Sequence, residues 1–278
     1  MGRIVDTQRI LRSLGLASLP APIVRGLERV LAIVRFERLC AGAGVSASNA
    51  DVRRQIADVF AAAGIRWEVT DAASSPELTR AGPLIFYSNH PYGFADALIA
   101  LTIALERRPD TKVLANSALA AFDFHRGQTI WVDLGAGSER ITTNRRSLRN
   151  VLRHLQAGGA LLIFPSQVCA HLTLPQCRVT DPPWTPHLAA LIERTGATCV
   201  PLYFAGHNSW RFQLLGLIHP MFRTLLLLRE FVGLAGRCIH VRVGAPLRAA
   251  ETIREAAPQD RMRALRARVY ELAAAEGR

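Results

Sequence analysis

The chain lacks paired cysteine motifs, internal repeats and long uncharged runs, and these absences exclude several classes of protein. Its five cysteines form no C-x-x-C pair and are odd in number, which argues against a disulfide framework and against a zinc ribbon. The longest stretch without Asp, Glu, Lys, Arg or His, residues 155–170, is sixteen residues long and contains Gly158, Gly159 and Pro165. Because a membrane-spanning helix needs about 20 apolar residues, no transmembrane helix is expected.

Metal-ligand spacings, nucleic-acid-binding motifs and the G-x-S-x-G nucleophile motif are also missing. His207 and His219 have no partner at H-x-x-x-H spacing and the cysteines are scattered, so we expect no metal site and no metal cofactor. The positive charge is spread through the chain, which argues against nucleic acid as a partner. The missing G-x-S-x-G motif counts against a serine hydrolase of the α/β type.

Positive charge is abundant in the 278 residues. Lysine and arginine number 34 against 22 acidic residues, so the net charge is +12 at pH 7. Lys112 is the only lysine, a bias that a GC-rich genome explains as readily as a need for bidentate phosphate contacts. The balance favours anionic partners such as lipid, phosphate or acidic proteins. With 50% hydrophobic and 20% charged residues, the composition is typical of a globular domain.

The N-terminal part of the chain combines basic and apolar residues. Residues 1–40 carry seven arginines and three acidic residues among Ile, Leu and Val, and residues 20–22 divide them into two short helical patterns. We predict that residues 1–45 form an amphipathic helical segment on a membrane surface, with arginines directed outward. The alternative is a pair of amphipathic helices packed on the core. Residues 46–278 are expected to form a separate domain.

From about residue 50 onward, runs rich in Val, Ile and Phe alternate with helical patterns, which predicts an α/β fold with a sheet flanked by helices. Strands are expected at residues 83–88, 112–114, 129–134, 160–164, 198–204 and 237–243. Helices are best indicated at residues 138–156, 185–194 and 258–275. Thr185 is the predicted N-cap of the second of these helices.

The most informative stretch is residues 88–96, Ser-Asn-His-Pro-Tyr-Gly-Phe-Ala-Asp, between a predicted buried strand and an apolar helix. His90 and Asp96 would lie about 240° apart around a continuous helix, so they can meet only across a turn. Pro91 and Gly93 supply that turn. Asp96 can then bind one imidazole nitrogen and leave the other free as a general base. The alternative is that Asp96 only caps the helix.

Asn89, His90 and Asp96 resemble the histidine-aspartate motif of the glycerolipid acyltransferases, in a form with five intervening residues rather than the more familiar four. Two further segments resemble later blocks of that family. Residues 163–166, Ile-Phe-Pro-Ser, resemble a strand that ends in Phe-Pro, and residues 200–209 resemble a strand that leads into a substrate loop. Their order and spacing agree with the family.

Two more segments, residues 181–186 and 218–230, resemble the bacterial hemolysin-like subgroup, which includes ornithine-lipid acyltransferases. The resemblance implies a mixed α/β sheet and a peripheral enzyme at the cytoplasmic face of the inner membrane. Such an enzyme moves a fatty acyl group from acyl carrier protein or coenzyme A to a lysolipid hydroxyl and needs no other cofactor. His90 would be its general base and Asp96 would orient the imidazole, without an acyl-enzyme.

A lyso-ornithine lipid or a similar lyso-aminolipid is the expected acceptor. One alternative is lysophosphatidic acid, which the arginine content favours. Another is a catalytically silent protein that binds lipid surfaces. The second block departs from the subgroup, since Gln167 replaces an expected glutamate and the loop is one residue shorter. Because Gln167 carries no charge, we expect an altered choice of acceptor.

Eight residues are expected to contact substrate. Residues 135–138, Gly-Ala-Gly-Ser, either bind a phosphate together with Arg140 or form an ordinary turn. The apolar segments 214–218 and 222–228 form either a lipid-facing rim, an acyl tunnel or part of the core. The expected substrate contacts are Asn89, Arg140, Phe164, Pro165, Ser166, Gln167, Gly206 and Asn208.

Overall fold

Helices and strands alternate along the chain. The computed structural model describes residue 5 and residues 18–45, 51–71, 82–117, 126–133, 139–174, 177–252 and 257–276. Its helices are α1 (Ala21–Val30), α2 (Ile33–Gly42), α3 (Val52–Ala63), α4 (Ala95–Arg107), α5 (Glu139–Gln156), α6 (His187–Thr195), α7 (Trp210–Ile218), α8 (Met221–Gly233), α9 (Ala249–Thr252) and α10 (Pro258–Glu271). Short 3-10 helices occupy Arg126–Gln128 and Ala273–Glu276.

Strands of the described residues form one large sheet and one small one. They are β1 (Arg66–Asp71), β2 (Leu84–Ser88), β3 (Lys112–Asn116), β4 (Thr129–Val132), β5 (Ala160–Ile163), β6 (His171–Thr173), β7 (Arg178–Thr180), β8 (Thr198–Phe204) and β9 (Cys238–Val243). The large sheet has the order β1-β9-β8-β2-β5-β3-β4. All adjacent strands of this sheet pair parallel except β8 and β9, which pair antiparallel. The sheet is therefore mixed, as expected. Strands β6 and β7 pair antiparallel.

Two apolar layers cover the two faces of the large sheet. Successive side chains of a strand point to opposite faces. In β2, Phe86 packs with α2, α3, α4 and α8, whereas Ile85 and Tyr87 pack with α5, α6 and α10. All five residues of β2 are buried. The chain therefore leaves the middle of the sheet at Ser88, at the carboxyl end of a parallel strand, where α/β folds bind ligands.

Most predicted elements are present, with ends that differ by at most four residues. Strand β8 has the predicted bounds, and α5 ends before Gly158, whose φ of +85° closes the helix. Strand β1 was missed although Trp67 and Val69 alternate with polar residues in it, because the alternating run is short and most of the strand is exposed. The prediction of Thr185 as an N-cap is wrong. Pro186 occupies that position, while the Thr185 hydroxyl donates to the carbonyl oxygen of Pro165 at 3.2 Å.

The N-terminal helices differ in burial. In α2, Phe36 is fully buried and makes edge-to-face contacts with Phe94 and Phe231, so this helix is part of the core. Helix α1 lies at the surface and exposes half or more of Ile23 and Val30. Residues 1–4 and 6–17 of the expected membrane segment lie outside the described residues. Among the helices that are described, none has the length and apolar character needed to cross a bilayer.

The two apolar segments of the C-terminal half also differ. In α8, residues 226–228 are buried, which agrees with core packing. Residues 214–218 belong to α7 and expose Leu214, Leu217 and Ile218, which agrees with a rim. The same apolar composition therefore produces a core segment in one helix and a surface stripe in the next.

Candidate functional site

His90 and Asp96 face each other at the carboxyl end of β2. His90 lies in the loop of residues 89–94, called here the His90 loop, and Asp96 lies in the first turn of α4. Nδ1 of His90 is 3.2 Å from Oδ2 of Asp96, a contact less linear than a full hydrogen bond. The Asp96 side chain is fully buried and that of His90 is 12% exposed. The turn at Pro91 and Gly93 thus brings the two predicted residues together.

The Asp96 carboxylate also binds backbone N–H groups. Its Oδ2 accepts from Tyr92 at 2.9 Å and its Oδ1 accepts from Ala97 at 2.8 Å. Its place near the N-terminus of α4 favours negative charge as well. The alternative of Asp96 as the helix cap is wrong, because Phe94 is the N-cap and Asp96, inside the first turn, binds the N–H of Ala97 and faces His90.

Asp181 is a second buried carboxylate at this site, and the sequence analysis missed its contact. Its Oδ1 accepts from the backbone N–H of His90 at 3.1 Å, and its Oδ2 accepts from Nε1 of Trp184 at 3.1 Å. The backbone oxygen of His90 accepts from Ala170 at 2.7 Å. Two distant segments therefore fix the main chain of His90. The resemblance of residues 181–186 to a family segment was the available signal, but it named no partner for Asp181.

The charges around His90 change its pKa. Burial lowers the pKa of the imidazole, but the Asp96 carboxylate, with a smaller contribution from Asp181, raises it, and the net effect is a pKa above the usual 6.5. Burial raises the pKa of Asp181. Cys169 packs against Gly93 in the His90 loop, and burial raises the pKa of its thiol to about 12. A thiol with such a pKa is a poor nucleophile at neutral pH.

An apolar pocket of about 280 Å³ opens beside His90. Its walls come from β3, β4, β5, α5, α6 and the Phe-Pro segment after β5, whereas α7 and α8 contribute none of the lining residues. The expectation of an acyl tunnel in residues 214–218 and 222–228 therefore disagrees with the described pocket. The apolar lining is formed by Val113, Leu114, Val132, Leu148, Val151, Ile163, Phe164, Pro165 and Leu191.

The second predicted block contributes to the lining of this pocket. The ring of Phe164 stacks on the imidazole of His90 with centroids 4.1 Å apart, and Pro165 also lines the pocket. Ser166 is buried and donates to the carbonyl oxygen of Val168 at 2.9 Å, and it is not among the lining residues. The structure therefore brings two residues of this block to the pocket and gives Ser166 a local bond.

Gln167 lines the same pocket in an unusual backbone conformation. Its φ of +64° is in the left-handed region, which residues other than glycine rarely adopt. Its Nε2 donates to Oγ1 of Thr185 at 3.3 Å. Gln167, which the sequence analysis expected to affect the choice of acceptor, is therefore a lining residue of the pocket.

Three other predicted substrate contacts instead hold loops together. Asn89 exchanges two hydrogen bonds of 2.8 Å with the backbone of Phe204. Asn208 donates from Nδ2 to the carbonyl oxygen of Tyr92 at 3.1 Å. Gly206 has a φ of +103°, and a Cβ there would lie 2.1 Å from the Tyr92 hydroxyl oxygen. These residues join the His90 loop to residues 205–209, and none of them lines the pocket.

The remaining predicted sites are located as follows. The side chain of Arg140 and the predicted phosphate turn at residues 135–138 lie outside the described residues.

No metal site was expected, yet within the described chain Glu68, Cys238 and His240 bring potential ligand atoms within 4.8 Å of one another on β1 and β9. The sequence spacing did not indicate this cluster because it joins two strands that are distant along the chain.

Comparison with known proteins assigns the class. The model of a family described as Acyltransferase matches residues 52–276, and the chain therefore belongs to that acyltransferase family. The fold is similar to the crystal structure of the 1-acyl-sn-glycerophosphate (LPA) acyltransferase PlsC from Thermotoga maritima. The TM-score is 0.52 at 13% identity, over 99% of this chain and 90% of that chain. A search of curated proteins finds no match.

Proposed function

We propose that the protein transfers a fatty acyl group from an acyl carrier protein or coenzyme A thioester to the hydroxyl of a lysolipid, with His90 as general base. The observation that carries this proposal is the buried His90–Asp96 pair, whose His90 lines an apolar pocket. With Nδ1 directed to Asp96, Nε2 is the nitrogen left to face a bound hydroxyl. The pocket provides an apolar environment for an acyl chain beside that nitrogen.

The reaction follows from this geometry. The lysolipid oxygen attacks the thioester carbonyl carbon while Nε2 of His90 takes the hydroxyl proton. The carbon–sulfur bond then breaks, and the leaving thiolate takes the proton back from the imidazolium. Asp96 holds the proton on Nδ1 and stabilises the imidazolium charge. Direct transfer agrees with Cys169, the cysteine beside the His90 loop, being a neutral thiol at pH 7.

The acceptor that we propose is a lyso-ornithine lipid or a similar lyso-aminolipid of the kind used by the hemolysin-like subgroup. The support is the sequence resemblance of residues 181–186, a segment that contains Asp181, which binds the His90 backbone, and the pocket-lining residue Thr185. The net charge of +12 favours the alternative acceptor, lysophosphatidic acid.

We also propose that the enzyme acts as a peripheral protein at the cytoplasmic face of the inner membrane.

A panel of lysolipids with radiolabelled acyl-coenzyme A and acyl-carrier-protein donors tests this function. The proposal predicts a diacyl product whose mass identifies a lyso-aminolipid acceptor and whose formation requires His90. A product formed faster from lysophosphatidic acid would select the alternative acceptor. If a folded protein that binds vesicles makes no product with any pair, the silent lipid-binding protein replaces the enzyme.

A further inference from the structure

Helix α7 carries apolar residues on both sides: Phe212 is buried against the core, while a second apolar stripe faces outward, unlike a helix that faces water. A water-exposed helix buries its apolar stripe and exposes polar residues. In α7, Gln213 is 1% exposed, while the exposed fractions of Trp210, Leu214 and Ile218 are 60%, 57% and 72%. Leu217, at 38%, completes a stripe at helical spacing. We define these four residues as the α7 stripe.

The orientation of α7 is fixed by the buried side of the helix. Oε1 of Gln213 accepts from the backbone N–H of Leu172 at 2.9 Å, and its Nε2 donates to the carbonyl oxygen of Asn208 at 3.3 Å. At the start of the helix, the N–H and hydroxyl of Ser209 donate to Glu230 at 2.7 and 2.8 Å. Turning the stripe inward would bury apolar residues only by breaking these bonds, so the stripe stays at the surface.

Basic residues accompany this apolar surface. Arg211 is exposed on α7 itself. Helix α1, which exposes Ile23 together with Arg25 and Arg29, is joined to α8 by a 2.7 Å bond from Arg229 to the Val30 carbonyl oxygen. Aromatic and aliphatic side chains next to arginines are the composition of surfaces that lie in the headgroup region of anionic bilayers.

We propose that the α7 stripe is the docking surface of the protein for an anionic lipid bilayer. This inference rests on the proposed function, which needs an acceptor held in a membrane. The stripe enters the headgroup and upper acyl region, where Trp210 is a favoured residue, and Arg211 contacts lipid phosphates. The charge of +12 gives the whole molecule an attraction to such a surface.

The position of α7 links docking to the site. The helix follows residues 205–209, in which Asn208 holds the carbonyl oxygen of Tyr92 in the His90 loop. Gln213, on the buried side of α7, holds Asn208 in turn. A bilayer that fixes α7 therefore also fixes the position of the His90 loop relative to the lipid surface.

A matched pair of triple variants tests the docking surface. One is Trp210→Ser with Leu214→Ser and Ile218→Ser, and its control is Val69→Ser with Ile141→Ser and Leu174→Ser, three exposed apolar residues on other elements. We expect the first to lose at least tenfold in partitioning to phosphatidylglycerol-containing vesicles, measured by co-sedimentation, and the control to bind like the wild type. Phosphatidylcholine vesicles should bind the wild type more weakly.

Several outcomes would overturn the proposal. They are wild-type protein that does not bind the anionic vesicles, equal losses in the two triple variants, or stripe variants that bind like the wild type. A measurement of acyl transfer distinguishes failure of the docking proposal from failure of the proposed function. The fold-loss of acyl-transfer activity in the stripe variant should be at least ten times larger on vesicle-bound lysolipid than on monomeric short-chain lysolipid. Vesicle binding through the stripe without any acyl transfer would retain the docking surface and reject the enzyme.

Discussion

The two helices that follow the loops around His90, α4 and α7, are both apolar but have opposite surroundings. In α4 every residue from Leu98 to Leu105 is buried, whereas α7 exposes a continuous stripe. Each helix nevertheless buries at least one polar side chain with partners, among them Asp96 in α4 and Gln213 in α7. Apolar content therefore does not distinguish a helix of the core from a helix that exposes an apolar stripe.

The two buried polar residues act on the same loop in different ways. Asp96 places a negative charge 3.2 Å from His90, and Gln213 acts through Asn208 on the backbone of Tyr92. We therefore expect changes in α4 to affect chemistry or stability, and changes at the α7 stripe to affect the encounter with lipid. The predictions below test this division.

The largest effect is expected for Asp96→Asn. The variant removes the charge that raises the His90 pKa and the acceptor that orients the imidazole, so acyl transfer should fall roughly 10²- to 10⁴-fold. The general base must be neutral, and wild-type kcat/KM should therefore fall on acidification through a pKa above 6.5. In the variant this decline should move to lower pH. A pH profile with an unchanged decline would contradict the assigned role.

A stability comparison tests the two helices directly. Ile99 in α4 is fully buried, so Ile99→Ala should lower the free energy of unfolding by about 2–5 kcal/mol. The matched Leu214→Ala in the α7 stripe removes a side chain that is 57% exposed, and its effect should lie within about 0.5 kcal/mol. Denaturant unfolding measures both. Similar losses would mean that α7 packs like α4 and would remove the basis of the comparison.

The sequence contained enough information for the sheet and for the contact between His90 and Asp96. Buried strands such as β2 show continuous apolar runs, and the turn at Pro91 and Gly93 is local chemistry. The contact of Asp181 with His90 joins residues 91 apart, and no local pattern predicts such a pairing. Thr185 was misassigned because a helix N-cap and a hydroxyl bonded to a neighbouring loop have the same sequence pattern.

Asp181 tests whether a residue outside both helices also positions the His90 loop. Asn has one oxygen acceptor where Asp181 uses two, so Asp181→Asn leaves one of the His90 and Trp184 donors unpaired. A small displacement of His90 should lower kcat by about 10²-fold. Circular dichroism and unfolding distinguish this from a loss of fold. A folded variant with wild-type kcat would show that Ala170 and Asp96 suffice to place His90.

The smallest effect is expected at Gln167 in the pocket lining. Gln167→Glu introduces a negative charge beside the pocket, and an exposed ion pair contributes about 0.2–1 kcal/mol. The ratio of kcat/KM for a cationic over an anionic lysolipid headgroup should therefore rise by roughly two- to fivefold. Competition between two lysolipids in one reaction measures this ratio. An unchanged ratio would mean that Gln167 does not contact the acceptor headgroup.

The central claim is that the His90–Asp96 pair performs acyl transfer beside the apolar pocket. Its most direct test is the acyl-transfer rate of His90→Ala against the wild type, with identical donor, lysolipid and vesicles. The account predicts a loss of roughly 10²- to 10⁴-fold in a variant that unfolds at the wild-type temperature and still binds vesicles. Full turnover by His90→Ala would contradict the account.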